Sequence, residues 1–223
     1  MVSDFLHPFA KPTRTDFRTL VRGQGSVVYD NHGNQYIDAM ASLWYCAVGH
    51  GRSDMAEAIA RQAGTLAAYS TFDPFTNEPA EELAEKLVAI GPIPKSRIFF
   101  TSSGSESVDT AMKLARLAHV QAGHPERTLI ISRQRGYHGT TYGGTSAQGI
   151  PPNREGYGPL VGDVEQVAAD DIEAMATLMA QRGNTIAAVL VEPLQGAGGV
   201  FPPTEGYLES LRRLCDQHGA FLI

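Results

Sequence analysis

Three short stretches put ligand-holding residue types at the ends of apolar runs. The first is "FFTSSGSESVDTAMKLAR", residues 99–116, where Ser103, Gly104 and Ser105 stand between an apolar run and a helical pattern. Ser103 to Glu106 fits S-x-x-E, the pattern of a capping box. A helix start also carries free N–H groups and the positive end of the helix dipole, and a glycine there lets a ligand approach the backbone. The two roles are compatible. The second predicts an anion site with a serine hydroxyl as an extra donor, at the carboxyl end of a strand where open α/β sheets bind ligands.

The second stretch, "RGYHG" at 135–139, follows the apolar "TLIIS". Tyr137 there either packs within its loop or offers its face to a flat ring, and His138 reads as a satisfied polar residue. The third, "VEPLQGAGG" at 191–199, ends an apolar strand pattern on Glu192. A carboxylate in that place either pairs with a buried partner or lines a site. No G-x-x-x-x-G-K-[ST] occurs, and no G-x-G-x-x-G opens a helix after a strand. "GYHGTTYGG" is glycine-rich, but the residues after it do not read as a helix start. An anion cradle, an aromatic plate and a carboxylate at three successive strand ends suit an elongated ligand with a phosphate at one end and a flat heterocycle at the other. Pyridoxal 5′-phosphate fits that description.

These residues need a framework, and the rest of the chain supplies one. "GSVVYDNHGNQYIDA" alternates around Asn31-His32-Gly33 and predicts a β-hairpin. "DMAEAIARQAGTLAA" and "EPAEELAEKLVAI" carry apolar residues at helical spacing, the latter with Thr76 or Asn77 as cap and Pro79 in its first turn. "RIFF" (97–100) and "TLIIS" (128–132) read as short strands. Residues 104–119 place Val108, Ala111, Met112, Ala115 and Ala118 on one helical face. "DIEAMATLMAQRG" predicts a helix with Gly183 as its C-cap. "IAAVLVE" is apolar without alternation, as in a parallel strand buried on both faces. From about residue 80 onward helices and buried strands alternate, which is the α/β pattern.

Composition narrows the function classes. Of 223 residues 43% are hydrophobic, enough for a sizeable core. The formal charge of −6 without a basic run argues against nucleic acid as a partner. Cys46 and Cys215 are too few and too far apart for a disulfide framework, which makes a reducing cytoplasm the expected location. No apolar run reaches membrane-spanning length, and "MVSDFLHPFAKP" lacks the pattern of a signal peptide. The end, "GAFLI", reads as a strand that has barely begun and predicts that the chain is a piece of a longer one.

"SSGSESVDTAMKLAR", "GYHGTTYGG" and "EPLQGAGGV", in this order and spacing, resemble the class III aminotransferases of the fold type I pyridoxal-phosphate superfamily, and "YDNHGNQYIDAMASLWYCAVGHG" resembles the family's hairpin and following loop. The resemblance runs from about residue 5 to 223. "LHPF", "LW" at 43–44, "STF" at 70–72 and "SGSES" are similar to the pyruvate-linked ω-transaminases. It implies an α/β fold with a mostly parallel central sheet flanked by helices. Residues 1–75 would form a small N-terminal lobe with the hairpin, and 76–223 an incomplete large cofactor-binding domain.

The resemblance also implies roles. Gly104 and Ser105 would hold the cofactor phosphate with Ser103 beside them, Tyr137 would stack on the pyridine ring with His138 near it, and Glu192 would sit behind the ring. Phe9, Trp44, Phe72 and Tyr137 would line the substrate pockets, although Phe9 and Phe72 would also pass as core residues. Ala197 stands where ornithine- and acetylornithine-type relatives carry a glutamate, which points to ω-amino acids or amines as donors and pyruvate or a similar keto acid as acceptor. Lys11, Lys86, Lys95 and Lys113 do not match the family's lysine motif, so the Schiff-base lysine and the aspartate under the pyridine nitrogen are expected beyond Ile223, and these residues alone are expected to be inactive. The full-length protein would be a homodimer, with no nucleic acid or membrane partner. An aminomutase, decarboxylase or racemase of the same family, or a non-catalytic binding or oligomerisation module, are the alternatives.

Overall fold

The alternating N-terminal stretch folds as an antiparallel sheet of three strands, β1 (Leu20–Gln24), β2 (Val27–Asp30) and β3 (Gln35–Ile37), in that order. The structure, a computed structural model, describes residues 4–223. Asn31-His32-Gly33 makes the β2–β3 turn, with Gly33 at φ 82°, a region that favours glycine. β1 adds a strand to the predicted hairpin, pairing Gln24 with Val27. Asp30 fastens the turn. Its carboxylate accepts from the N–H groups of His32 and Asn34, from Asn34 Nδ2 and from the Tyr36 hydroxyl, at 2.8–2.9 Å. These bonds, the Asn34 amide foremost, hold its pKa well below the usual carboxylate range.

After β3 the chain makes one turn of helix, α1 (Ala41–Trp44), with positive φ at all four residues. L-residues in this left-handed form cost roughly 1–2 kcal/mol each, so something outside the turn must hold it. α2 (Ser53–Thr65) and α3 (Glu78–Ile90) form where helical spacing predicts them, and Asn77 caps α3 by accepting from Ala80 N–H at 3.0 Å. Neither α2 nor α3 buries a residue. Residues 1–90 form one compact unit and residues 91–223 a second.

The second unit is a layered α/β structure. Its elements are α4 (Gly104–Gln121), β4 (Leu129–Arg133), α5 (Tyr142–Ala147), β5 (Val164–Val167), α6 (Ile172–Arg182), β6 (Ile186–Val189), α7 (Tyr207–His218) and β7 (Phe221–Leu222). The four strands are parallel, in the order β5-β4-β6-β7. The lack of alternation in β4 and β6 has its physical cause here, because both faces are covered. Leu129 and Ile131 pack with Met175 and Met179 of α6 and Leu211 and Cys215 of α7. Ile130 turns the other way, toward Met112 and Ala115 of α4 and Ala147 of α5. Burial pushes the Cys215 thiol up to about 11.

Two local expectations are corrected, and a third holds in a different form. "RIFF" at 97–100 forms no strand and pairs with none among the described residues, and Phe99 and Phe100 are exposed. Apolar character alone does not make a strand where no neighbouring strand offers hydrogen bonds. Gly183 is the C-cap of α6, as expected, but at φ −55° and not in the left-handed form. A Cβ there would lie 2.4 Å from His218 Nδ1, so close packing against α7 demands the glycine. The glycine-rich "GYHGTTYGG" itself holds a helix start, because α5 begins within it at Tyr142. Among the described residues no helix is long and apolar enough to cross a membrane.

Candidate active site

The start of α4 is built as the capping pattern predicts, with one displacement. Ser103 is extended and its Oγ accepts from Glu106 N–H at 3.1 Å. The Glu106 carboxylate reaches past Ser103 to accept from Ser102 N–H at 2.8 Å. Capping therefore uses the Ser103 hydroxyl oxygen and the Glu106 N–H. The Gly104 and Ser105 N–H groups have no acceptor among the described residues, and a Cβ on Gly104 would meet nothing within 4 Å. That glycine answers neither to packing nor to a left-handed φ. What remains at this helix mouth is open space, two free donors and the positive end of an 18-residue helix, which together suit an anion.

The loop after β4 is seated on the same helix. Ser105 Oγ accepts from Thr140 N–H at 2.9 Å, which leaves its own O–H able to donate outward. Gly139, at φ 103°, lies so near that a Cβ would fall 2.6 Å from Ser105 Oγ. One turn further along α4, Asp109 accepts from Thr141 Oγ1 at 2.7 Å and Gly144 N–H at 2.9 Å. This carboxylate caps α5 from another helix, and a Cβ on Gly143 would strike it at 2.5 Å. The start of α5 is thus fixed by a tertiary cap and a Gly-Gly pair, which a local search for capping residues does not detect.

Glu192, just past β6, joins the third strand end to the second. Its Oε1 accepts from Tyr137 N–H at 2.6 Å and its Oε2 from Gly196 N–H at 3.1 Å. Of its two expected roles, pairing and site lining, the structure supplies a form of the first: the partners are backbone amides and not a cation. Gln195, buried, donates to Gln134 O at 2.7 Å and draws the "QGAGG" turn onto the same loop. Beneath them lies Arg133, the last residue of β4 and almost wholly buried. Its guanidinium donates to Ala169 O at 3.1 Å and to Glu192 O, pairs with Asp170 at 3.6 Å and lies 5.0 Å from the Tyr207 ring centroid. The arginine ties together the chain leaving β5 and the chain leaving β6.

His138 is 5% exposed, and its Nε2 has no hydrogen-bond partner among the described residues. Burial, with the Arg133 charge adding to it, lowers its pKa to about 4, so the imidazole is neutral at pH 7. Tyr137 is half-buried and Glu192 partly exposed.

The second unit therefore links Ser103, Gly104 and Ser105 to the Tyr137–His138 loop through Thr140, and that loop to Glu192. Phe9, Trp44 and Phe72 belong to the first unit. They are exposed, Phe9 fully, Trp44 to 62% and Phe72 to 84%, so none is a core residue there. Trp44, expected in a loop, closes the left-handed turn α1. Asp109, Thr140, Thr141 and Arg133 were not singled out from the sequence. Arg133 had a signal, a charge ending an apolar strand, which must find partners.

The second unit thus combines a parallel α/β sheet with an open helix mouth tied by hydrogen bonds to the loops after β4 and β6. The chain belongs to the class III aminotransferases, matching that family over residues 9–223. It is 40% identical to the beta-alanine–pyruvate aminotransferase of Pseudomonas aeruginosa, an alignment covering 93% of this chain and 50% of that protein. It is 39% identical to an acetylornithine aminotransferase of Xylella fastidiosa, covering all of this chain and 52% of the other. Among solved structures, a transaminase from the marine bacterium Virgibacillus superposes with a TM-score of 0.94 at 37% identity, covering 98% of this chain and 52% of that one. An amine transaminase from an uncultivated Pseudomonas species, solved in its PLP-bound form, gives 0.91 at 33%, covering 99% and 55%. The chain spans about half the length of the relatives it matches.

Proposed function

We propose that the whole protein is a pyridoxal-phosphate-dependent aminotransferase that moves an amino group from an ω-amino acid or amine to pyruvate or a similar keto acid. The observation that carries this reading is the open helix mouth at Gly104–Ser105, joined through Ser105 and Thr140 to the loop that bears Tyr137.

The residues fit the cofactor. The Gly104 and Ser105 N–H groups and the Ser105 hydroxyl would take its phosphate, and Ser103 would shape the mouth as the cap. Tyr137 would stack on the ring, held in place by the Glu192 carboxylate on its own N–H. His138, neutral and buried below the loop, would add no positive charge near the ring. Pyridoxal phosphate, when bound, supplies an electron sink for the carbon bearing the donor's amino group. We place the lysine that carries it outside these residues, because none of Lys11, Lys86, Lys95 and Lys113 matches the family's lysine motif.

Ala197 in "QGAGG" favours an ω-amino acid or amine donor over the acetylornithine class, and we assign substrate contacts to Phe9, Trp44 and Phe72 in the first unit and to Tyr137 in the second. A homodimer accords with the exposed aromatic residues of the first unit, and a cytoplasmic location with two free cysteines.

The test is to supply the full-length protein with pyruvate and a series of ω-amino acids and amines, and to measure alanine. Alanine formation is expected, and Ser105→Ala should lower cofactor retention on dialysis. An aminomutase or decarboxylase would turn over its amino acid without making alanine. A binding module would do neither.

A further inference from the structure

The left-handed turn α1 poses a physical question. Ala41, Ser42, Leu43 and Trp44 have φ of 47°, 54°, 63° and 76°, and none is a glycine. Backbone bonds close the turn, from Trp44 N–H to Met40 O at 2.8 Å and from Cys46 N–H to Ala41 O at 2.9 Å. They do not choose its hand. Residues held in this region persist only where their surroundings over-determine them.

The surroundings are two side chains. Asp38 points both carboxylate oxygens at Ser42 N–H, at 3.1 and 2.9 Å, in the middle of the turn. Its Oδ2 is also 2.8 Å from His50 Nε2. His50 is anchored on the sheet: its backbone exchanges two hydrogen bonds with Gly25, at 3.0 and 2.8 Å, and a Cβ on Gly23 would fall 2.6 Å from its ring. Its Nδ1 is 3.5 Å from Cys46 Sγ, at the far end of the turn. With Nε2–H donating to Asp38, Nδ1 is left to accept from the thiol. The Asp38 and His50 side chains are only 13% and 21% exposed, whereas Trp44, carried on the turn, is 62% exposed. The chain thus fixes the base of the turn against the hairpin and holds an aromatic residue out from it.

We infer that Asp38 and His50 are positioning residues that lock this left-handed turn and thereby set the place of Trp44. The functional half of the inference, that the lock tunes which amines are accepted, rests on the reading of Trp44 as a pocket residue. Without the Asp38 carboxylate the turn loses the acceptor of its central Ser42 N–H and relaxes, and Trp44 moves with it.

Incorporating 5-fluorotryptophan into the full-length holoenzyme gives Trp44 its own ¹⁹F resonance, assigned by its loss in Trp44→Phe. Asp38→Ala is expected to shift and broaden that resonance and to change the kcat/KM ratio of a bulky to a small amine by about tenfold, as the loss of charge-assisted hydrogen bonds implies. Adding Ser42→Gly and Leu43→Gly to Asp38→Ala should recover the resonance, because glycine takes this backbone form without penalty. Should Asp38→Ala fail to fold, His50→Ala, which leaves the Asp38–Ser42 bonds in place, gives the same shift at smaller amplitude. An unchanged resonance in the folded variants overturns the lock. A shifted resonance with an unchanged amine ratio upholds the lock and removes Trp44 from the pocket.

Discussion

The two units of this chain solve the problem of amphipathic sequence differently. In residues 91–223 the apolar positions of the central strands and of the helices facing them are buried: β4 and β6 are covered on both faces, and Met175, Met179 and Leu211 are fully enclosed. In residues 1–90 the same kind of periodicity gives helices α2 and α3 that bury nothing. Order in the first unit comes from polar networks, the Asp30 cluster in the hairpin and the Asp38–His50 pair at α1. Periodicity therefore reports that a helix forms, but not whether the same chain segment covers its apolar face.

Large-to-small substitutions test this contrast most sharply. Met175→Ala is expected to cost about 2–5 kcal/mol in urea denaturation, the range for buried aliphatic groups in a packed core. Ile59→Ala, on the exposed face of α2, is expected to stay within about 0.5 kcal/mol. Equal losses at the two positions would show that the first unit has a core after all.

The next largest effect belongs to His138. Unfolded, its imidazole takes up a proton near pH 6.5, and folded only near pH 4. Between those values the unfolded state binds the additional proton, so stability is complete above pH 6.5 and declines as the pH falls through the window, by up to roughly 3 kcal/mol. His138→Phe, which keeps a ring but has no proton to gain, should flatten the decline between pH 6.5 and 4. Parallel pH profiles for the two proteins would place the sensitivity elsewhere.

Legibility followed the same division. The capping motif at residues 103–106 was visible because its logic is local: S-x-x-E caps a helix within four residues, and Ser103 and Glu106 behave so. The parallel strands were visible because burial on both faces removes alternation. Asp109 was hidden, since its partners Thr141 and Gly144 lie more than 30 residues away and a helical aspartate looks like any other. The "RIFF" strand was overread, because pairing depends on a neighbour that no local pattern reveals. The hand of α1 was hidden for a similar reason: nothing in "ASLW" favours positive φ, and the constraint comes from Asp38 and His50 around it.

The smallest expected effect compares two helix caps of the same chemistry, one in each unit. Ser103 caps α4 by accepting from Glu106 N–H at 3.1 Å, and Asn77 caps α3 by accepting from Ala80 N–H at 3.0 Å. Isolated helices would lose similar amounts on truncation to alanine, about 1 kcal/mol. The settings differ, because α4 packs Met112 and Ala115 onto the sheet while α3 buries nothing. Fraying at Ser103 is thus coupled to cooperative unfolding of the second unit, and fraying at Asn77 can remain local. Ser103→Ala should lower the global unfolding free energy by about 1 kcal/mol and leave α3 unaffected. Asn77→Ala should speed amide exchange at residues 79–81 with a global change of less than about 0.5 kcal/mol. If Asn77→Ala costs as much globally as Ser103→Ala, α3 is bound into the core of the protein by contacts beyond those its own unit provides.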